Sequence, residues 1–414
     1  MTIGLVLFLS IYIYSYLFDD FILLPFVLVM VLSYFIIACR KNLPLVLFGF
    51  FMFLFPFDFL LAYFSGEKLL PVYKLEYIND VFLFLGVALS ILSPFISTNG
   101  VGLIGTDLAF IRSNKVLVLY LMIAALLTIS IRGESVLFVD GSYQQYQDNL
   151  SKGSGVIEYT LMLFIASIFF KKNRILKIIS IICVLFYIFK MILLGFRVQS
   201  MVALLVLCFM VLNKNPKPIT NLILCLVAFF SMLSYGILKE GINIFEDGLS
   251  FNILLDTRYG YVQSHQHGVL SSSTVMLSYP SSDDIPEFLN WPAAALASTI
   301  PRFVLDSTIP FVYPSAYIQK FEYTPGGGLF PVQIMYLLGL PGLIIISFLL
   351  GRIFFGYINA KKTDVYVVSG VTLLCFFPRW VSYDFFNFGF RTLFMVLILV
   401  YGPIIISRFL DSND

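Results

Sequence analysis

Apolar residues in this chain come in long unbroken runs rather than in the one-faced or alternating patterns of a water-soluble fold. Runs can be drawn at about 2–18, 21–39, 43–64, 79–97, 116–131, 155–170, 178–194, 198–212, 219–238, 331–350, 364–378 and 389–407. A helix of about 20 apolar residues crosses a hydrocarbon core of roughly 30 Å. The pattern therefore predicts an all-α polytopic membrane protein with about twelve transmembrane helices, the shorter runs such as 364–378 being tilted or partly re-entrant. Three regions follow: an N-terminal transmembrane bundle of about nine helices over 1–238, a large external segment with short helices over 239–330, and about three C-terminal helices over 331–414. The first run has no basic residues before it and no clear small-residue cleavage site, so it is expected to be a retained helix.

Composition agrees with the pattern. Of 414 residues, 59% are hydrophobic and 12% charged, with a mean hydropathy of +0.94. Soluble domains carry about 25% charged residues. A net charge of +2 without a basic arm gives no reason to expect nucleic acid as a partner. The cysteines 39, 183, 208, 225 and 375 sit in or beside apolar runs without paired spacing, and read as small buried hydrophobes.

The placement of the few charges gives an orientation. Alternate connections hold Arg40, Lys41, Arg112, Lys115, Lys171, Lys172, Arg174, Lys177, Lys214, Lys217, Arg352, Lys361 and Lys362, with Arg408 after the last run. Cytoplasmic loops are enriched in such residues. Both termini are then expected in the cytoplasm, and the opposite set of connections, which carries most of the acids, on the outside.

The outer set contains the candidate chemistry. Segment 239–330 holds both histidines, nine carboxylates, seven prolines and Gly326-Gly327-Gly328. Long loops of this kind are usually functional when their composition is not that of a disordered chain, and this one is expected to fold as a lid over an outer cavity, with a short interfacial or re-entrant helix at Trp291 to Ile300. Arg197, in a turn so short that its guanidinium lies near the hydrocarbon boundary, is a functional candidate because charge at that depth is costly. Arg258, Arg302, Arg379 and Arg391 add positive centres on the same side. Planar guanidinium forks match phosphate oxygens in pairs, so the set suggests an anion clamp; the plainer reading is that each pairs with an acid such as Asp384 or reaches to headgroups. His265, His267, Asp256 and Glu322 are candidate acid–base groups, and Tyr259 and Tyr261 could stack on a sugar ring. The two histidines lack a third ligand at defined spacing, so no metal site and no cofactor is expected. Asp58 and Glu158, in or beside apolar runs, are candidates for proton relay or internal pairing. The three glycines permit close backbone approach or an anion-facing helix start.

Several of these places resemble the bacterial O-antigen and oligosaccharide repeat-unit polymerases, the Wzy-type family. Gly195-Phe196-Arg197 is similar to the family's Gly-x-Arg segment at an outer helix end. A large outer loop follows, with Ile300-Pro301-Arg302, then Gly326 to Gly328 and Tyr336-Leu337-Leu338-Gly339-Leu340-Pro341-Gly342. Where many members have Glu and Asn just before that glycine pattern, this chain has Gln333 and Leu338, which weakens an acidic role there. The resemblance implies a GT-C-like glycosyltransferase in the bacterial cytoplasmic (inner) membrane. It would join undecaprenyl-pyrophosphate-linked oligosaccharide donor and acceptor into O-antigen, capsule or related lipopolysaccharide chains at the outer face. Arg197, Arg258, Arg302 and Arg379 would hold the diphosphate, Tyr259 and Tyr261 the glycan, and His265, His267, Asp256 or Glu322 would take the acceptor proton. Expected partners are membrane lipids, a chain-length regulator and a flippase. An O-antigen ligase shares most of these features, and a polysaccharide flippase or other transporter is the alternative from a different class.

Overall fold

A computed structural model describes residues 2–18, 20–40, 42–64, 74–96, 108–133, 135, 142–211, 219–220, 223–224, 265–279, 327–359 and 365–411. Among these residues the chain is helical, apart from one isolated parallel bridge between Ile111 and Phe170. The helices are α1 (Thr2–Leu17), α2 (Leu23–Ala38), α3 (Leu43–Phe64), α4 (Ile78–Ile96), α5 (Asn114–Ser130), α6 (Ser142–Ser167), α7 (Arg174–Leu193), α8 (Arg197–Val211), α9 (His265–Ser278), α10 (Phe330–Asn359), α11 (Val365–Trp380) and α12 (Arg391–Asp411). A π-helical turn, Phe385–Phe390, leads directly into α12.

Among the described residues five spans are long and apolar enough to cross a membrane: Leu43–Phe64, Leu75–Phe95, Arg174–Leu193, Phe330–Ile358 and Phe385–Ile406. The all-α membrane character read from the sequence is present at this level. Side-chain placement supports it. Helix α7 buries Ser180, Val184, Tyr187 and Met191 and exposes Ile175, Ile178, Ile182, Leu185 and Phe189. A helix that is apolar on its outer face as well as its inner one belongs in hydrocarbon, not in water.

Most helix limits fall within a few residues of the apolar runs, and the departures have local causes. Helix α6 starts at Ser142, well before its apolar run, because the proline-free polar stretch ahead of it can continue the helix. It stops at Ser167 because the next residues pair sideways: Phe110 N and Ile111 N donate to Phe169 O at 3.0 Å, and Lys171 N donates to Ile111 O at 2.7 Å. Helix α10 runs on to Asn359 and bends at Gly339, whose φ of 65° suits a residue without Cβ, just before Pro341, which has no N–H to donate. Helix α11 is only 16 residues long, yet every residue from Val367 to Trp380 is buried. It is the central helix, packed by α3, α8, α10 and α12. Phe48 of α3 meets Phe354, Phe377 and Trp380 at ring distances of 5.7, 5.6 and 6.0 Å, joining α3 to α10 and α11. The run 219–238 and the expected helix at 291–300 lie outside the described residues, except for 219–220 and 223–224.

The chain reverses at 168–173 and again at 194–196, so α8 starts at the same end as the first part of the apolar half of α6. At that end Tyr187 of α7 donates to Ile157 O at 3.2 Å. The start of α10 and the α11–π-helix link meet there too, since Phe330 N donates to Val381 O at 2.9 Å. We refer to it as the polar end. The opposite end carries Arg112, Lys171, Lys172 and Arg174.

Candidate functional site at the polar end

The polar end is assembled by backbone closeness that only small residues allow. A Cβ on Gly327 would collide with the backbone of Tyr383, and one on Gly328 would come within 2.7 Å of Met276 Cε. The glycine run is thus used, at Gly327 and Gly328, for close packing of the α10 entry against the α11–π-helix link. Gly326 lies outside the described residues. Gln333, fully buried, locks the same junction: its Nε2 donates to Tyr383 O at 2.8 Å and to Gly328 O, and its Oε1 accepts from Phe385 N at 2.8 Å. A glutamine supplies both donor and acceptor here; an ionised glutamate could only accept.

The link so held presents a charged cluster. Arg379, in the last turn of α11, places Nη2 2.7 Å from Glu158 Oε1 of α6, with both side chains buried. The approach is too oblique for an aligned hydrogen bond, and the contact is an ion pair. The Arg379 guanidinium also lies over the rings of Tyr383, at 4.7 Å, and Phe388, at 4.0 Å. Arg391 reaches the same Phe388 ring at 5.6 Å. Asp384 caps the π-helical turn, its side chain accepting from Asn387 N at 2.9 Å. Burial raises Asp384 to about 6, opposed by the backbone N–H groups of Asn387 and Phe386 and by the Arg391 charge. Two guanidiniums therefore lie over one aromatic ring, with the Glu158 carboxylate against Arg379 and the Asp384 carboxyl within electrostatic reach of Arg391. The sequence suggests Asp384 as a partner for the arginines, but the ion-pair partner of Arg379 is Glu158. Glu158 takes the internal-pairing option of its two sequence readings.

Arg197 opens α8, half-buried, after Gly195, whose φ of 87° makes the abrupt turn. Met191 O accepts from Phe196 N at 2.9 Å, which closes the end of α7 beneath the turn. Because α8 packs on α11 and both have an end at the polar end, Arg197 and Arg379 share that end.

His267 lies in α9, which packs against α3, α4 and α10. The described part of the expected lid is therefore a helix inserted in the bundle. This helix is polar for its depth: Ser271, Ser272, Ser273 and Thr274 are all buried. Ser272, Ser273 and Thr274 return their hydroxyls to carbonyls of their own helix, and Ser273 Oγ also accepts from Leu329 N at 2.8 Å. Burial pushes His267 down to about 4, so it is neutral near pH 7 and its surroundings oppose protonation. His265 is the first residue of α9. Asp256, Arg258, Tyr259, Tyr261, Arg302 and Glu322 lie outside the described residues.

Sequence reading underweighted the stretch from Arg379 to Thr392. Its signal was present as polar residues, Ser382, Asp384 and Asn387, interleaved with aromatic ones between two arginines. No family model, curated protein or solved structure matches the chain.

Proposed function

We propose that this chain is a GT-C-like membrane glycosyltransferase of about twelve helices that joins lipid-diphosphate-linked oligosaccharide repeat units into a surface polysaccharide at the outer face of a bacterial cytoplasmic membrane. The observation that carries the proposal is the gathering of guanidinium groups at one end of an otherwise apolar bundle, Arg197 on α8 with Arg379 and Arg391 on α11 and α12. Charge is expensive in such a setting and is retained for work on a charged substrate or for holding other groups in place.

In the reaction, a hydroxyl on the acceptor sugar attacks the anomeric carbon of the donor glycan. The bond from that carbon to the lipid diphosphate breaks, and the hydroxyl proton passes to a base. Arg197, Arg258 and Arg302 are assigned to the developing charge on the diphosphate. Arg379, already paired with Glu158 and stacked between rings, has less of its fork to offer and is assigned a place at the edge of the site. His265, His267, Asp256 and Glu322 remain the base candidates; the burial that pushes His267 down to about 4 makes it a weaker proton acceptor than an ordinary imidazole.

The test is purified protein supplied with a synthetic lipid-diphosphate-linked repeat unit. A ladder of lipid-linked products of two and more units is expected, and Arg197→Ala is expected to leave the protein folded and remove the long products. Transport without a change in size would overturn the reading, and transfer only to a lipid A core acceptor would replace it by a ligase.

A further inference from the structure

Where one helix stops and the next begins, carbonyls at the first end and N–H groups at the second lose the partners that a continuous helix would give them. The link between α11 and the π-helical turn has both kinds, Tyr383 O on one side and Phe385 N on the other, with Ser382 and Asp384 beside them buried. One side chain serves both. Gln333 Nε2 donates to Tyr383 O and to Gly328 O, and its Oε1 accepts from Phe385 N. Turned over, the carboxamide would set its oxygen against two carbonyls and its NH2 against an N–H, so the three partners fix its orientation.

The two residues that Gln333 holds on the link bracket Asp384, the cap of the π-helical turn. Through Tyr383 the tie continues to Arg379: Tyr383 N donates to Arg379 O at 3.0 Å, and the Arg379 guanidinium lies 4.7 Å from the centre of the Tyr383 ring. Through Asp384 it continues to Phe388, whose N donates to Asp384 O at 3.0 Å and whose ring lies under both Arg379 and Arg391. The support is itself anchored. Leu329 N donates to Ser273 Oγ of α9 at 2.8 Å and Phe330 N donates to Val381 O at 2.9 Å, so the entry of α10 is tied to α9 as well as to the link.

We propose that Gln333 is a positioning residue, which sets the link that carries Arg379 and Asp384 and leads to Arg391, and through it the placement of the guanidiniums at the edge of the site. The inference rests on the glycosyltransferase reading for the reaction that this placement serves. With 1% of its surface exposed, Gln333 acts through these neighbours and not on a substrate. The role depends on its chemistry as well as its size. Methionine is of similar length but has no donor for the two carbonyls and only a weak acceptor for Phe385 N. Glutamate accepts from Phe385 N in either protonation state, but donates to Tyr383 O only while protonated.

The test uses the full chain in nanodiscs with Trp291→Phe, which leaves Trp380 as its one tryptophan. That indole packs on Phe330 of the α10 entry at 5.3 Å and on Phe385 of the π-helical turn at 5.6 Å, so its emission reports the junction. Gln333→Met is expected to shift the emission to longer wavelength. It is also expected to lower kcat for chain extension about 10- to 100-fold, measured per folded molecule below the melting transition, as for a group displaced by about 1 Å. Gln333→Glu, compared with the parent at each pH, is expected to match it in both readouts at low pH and to approach Gln333→Met as pH rises. A lower melting temperature with kcat per folded molecule unchanged would make the role one of stability alone and overturn the inference. So would equal behaviour of Gln333→Met and Gln333→Glu at every pH, since the bonds of the carboxamide would then count for nothing. The product ladder separates the two readings. An emission shift in Gln333→Met with a parent that makes no ladder overturns the polymerase and keeps the positioning of the link, whereas a ladder that Gln333→Met extends at the parental kcat overturns the positioning alone.

Discussion

Arg379 and Glu158 are a buried pair, and buried pairs are informative about what they are for. Removing one member leaves the other charged and unpaired, at a cost of about 3–5 kcal/mol, while replacing both with apolar residues of similar size is often neutral. Arg379→Met is therefore expected to destabilise the protein in detergent by that order, and Glu158→Leu combined with Arg379→Met to recover most of the loss; thermal unfolding of the single and double variants measures this. If the pair serves only stability, the double variant keeps its chain-extension activity. The proposal made for this end of the molecule requires that activity to stay low even when stability has returned. A second residue-scale constraint is Gly195. With φ at 87°, any Cβ is strained by roughly 1–2 kcal/mol. Gly195→Ala is expected to lower the melting temperature and, by tilting the first turn of α8, to lower product length in the manner of a weak Arg197 variant. Normal product length with lowered stability would separate the turn from the role of Arg197.

At the scale of elements, the π-helical turn and α9 carry two titrations of opposite sign. Asp384 caps the π-helical turn, and its folded value of about 6 lies above the ordinary 3.8. The protonated carboxyl is thus favoured by folding, and its contribution is complete below the ordinary value and lost as pH rises through about 6. His267 in α9 has the opposite sign. Its folded value of about 4 lies below the ordinary 6.5, so its contribution is present above 6.5 and lost as pH falls through about 4. Each amounts to at most about 3 kcal/mol. The two slopes partly cancel in the parent protein. Asp384→Asn, which keeps an oxygen for Asn387 N, is expected to remove the first slope and leave a protein whose melting temperature falls more steeply with acid. His267→Gln is expected to do the reverse, and melting curves from pH 4 to 7 distinguish them. Neither element was legible in hydropathy. Helix α9 is built around His265-Gln266-His267 and a Ser/Thr row, which read as loop, and its burial depends on α3, α4 and α10 closing around it.

Across the whole molecule, what the sequence conveyed well was whatever the bilayer itself enforces. Backbone groups in hydrocarbon must be satisfied within the helix, so spans such as Leu43–Phe64 have to be written as continuous apolar runs and can be read as such. The pairing of Glu158 with Arg379 depends on the rotation and depth of two helices far apart in sequence, and hydropathy averages both away. The placement of Gln333 across the junction of α10 and the π-helical turn was hidden for the same reason. Orientation is the remaining global property, and the sequence makes a definite statement about it through the basic residues at the end opposite the charged cluster. Helix α5 offers a direct check, because exposed residues flank it at both ends, Ser113 before its start and Gly133 beyond its close. In a cysteine-free background, Gly133→Cys is expected to react with a membrane-impermeant maleimide on intact spheroplasts. Ser113→Cys is expected to react only after permeabilisation. The reverse pattern would place Glu158, Arg379 and Arg197 on the cytoplasmic side, where a polymerase acting at the outer face has no substrate, and would remove that reading whatever the chemistry of the cluster.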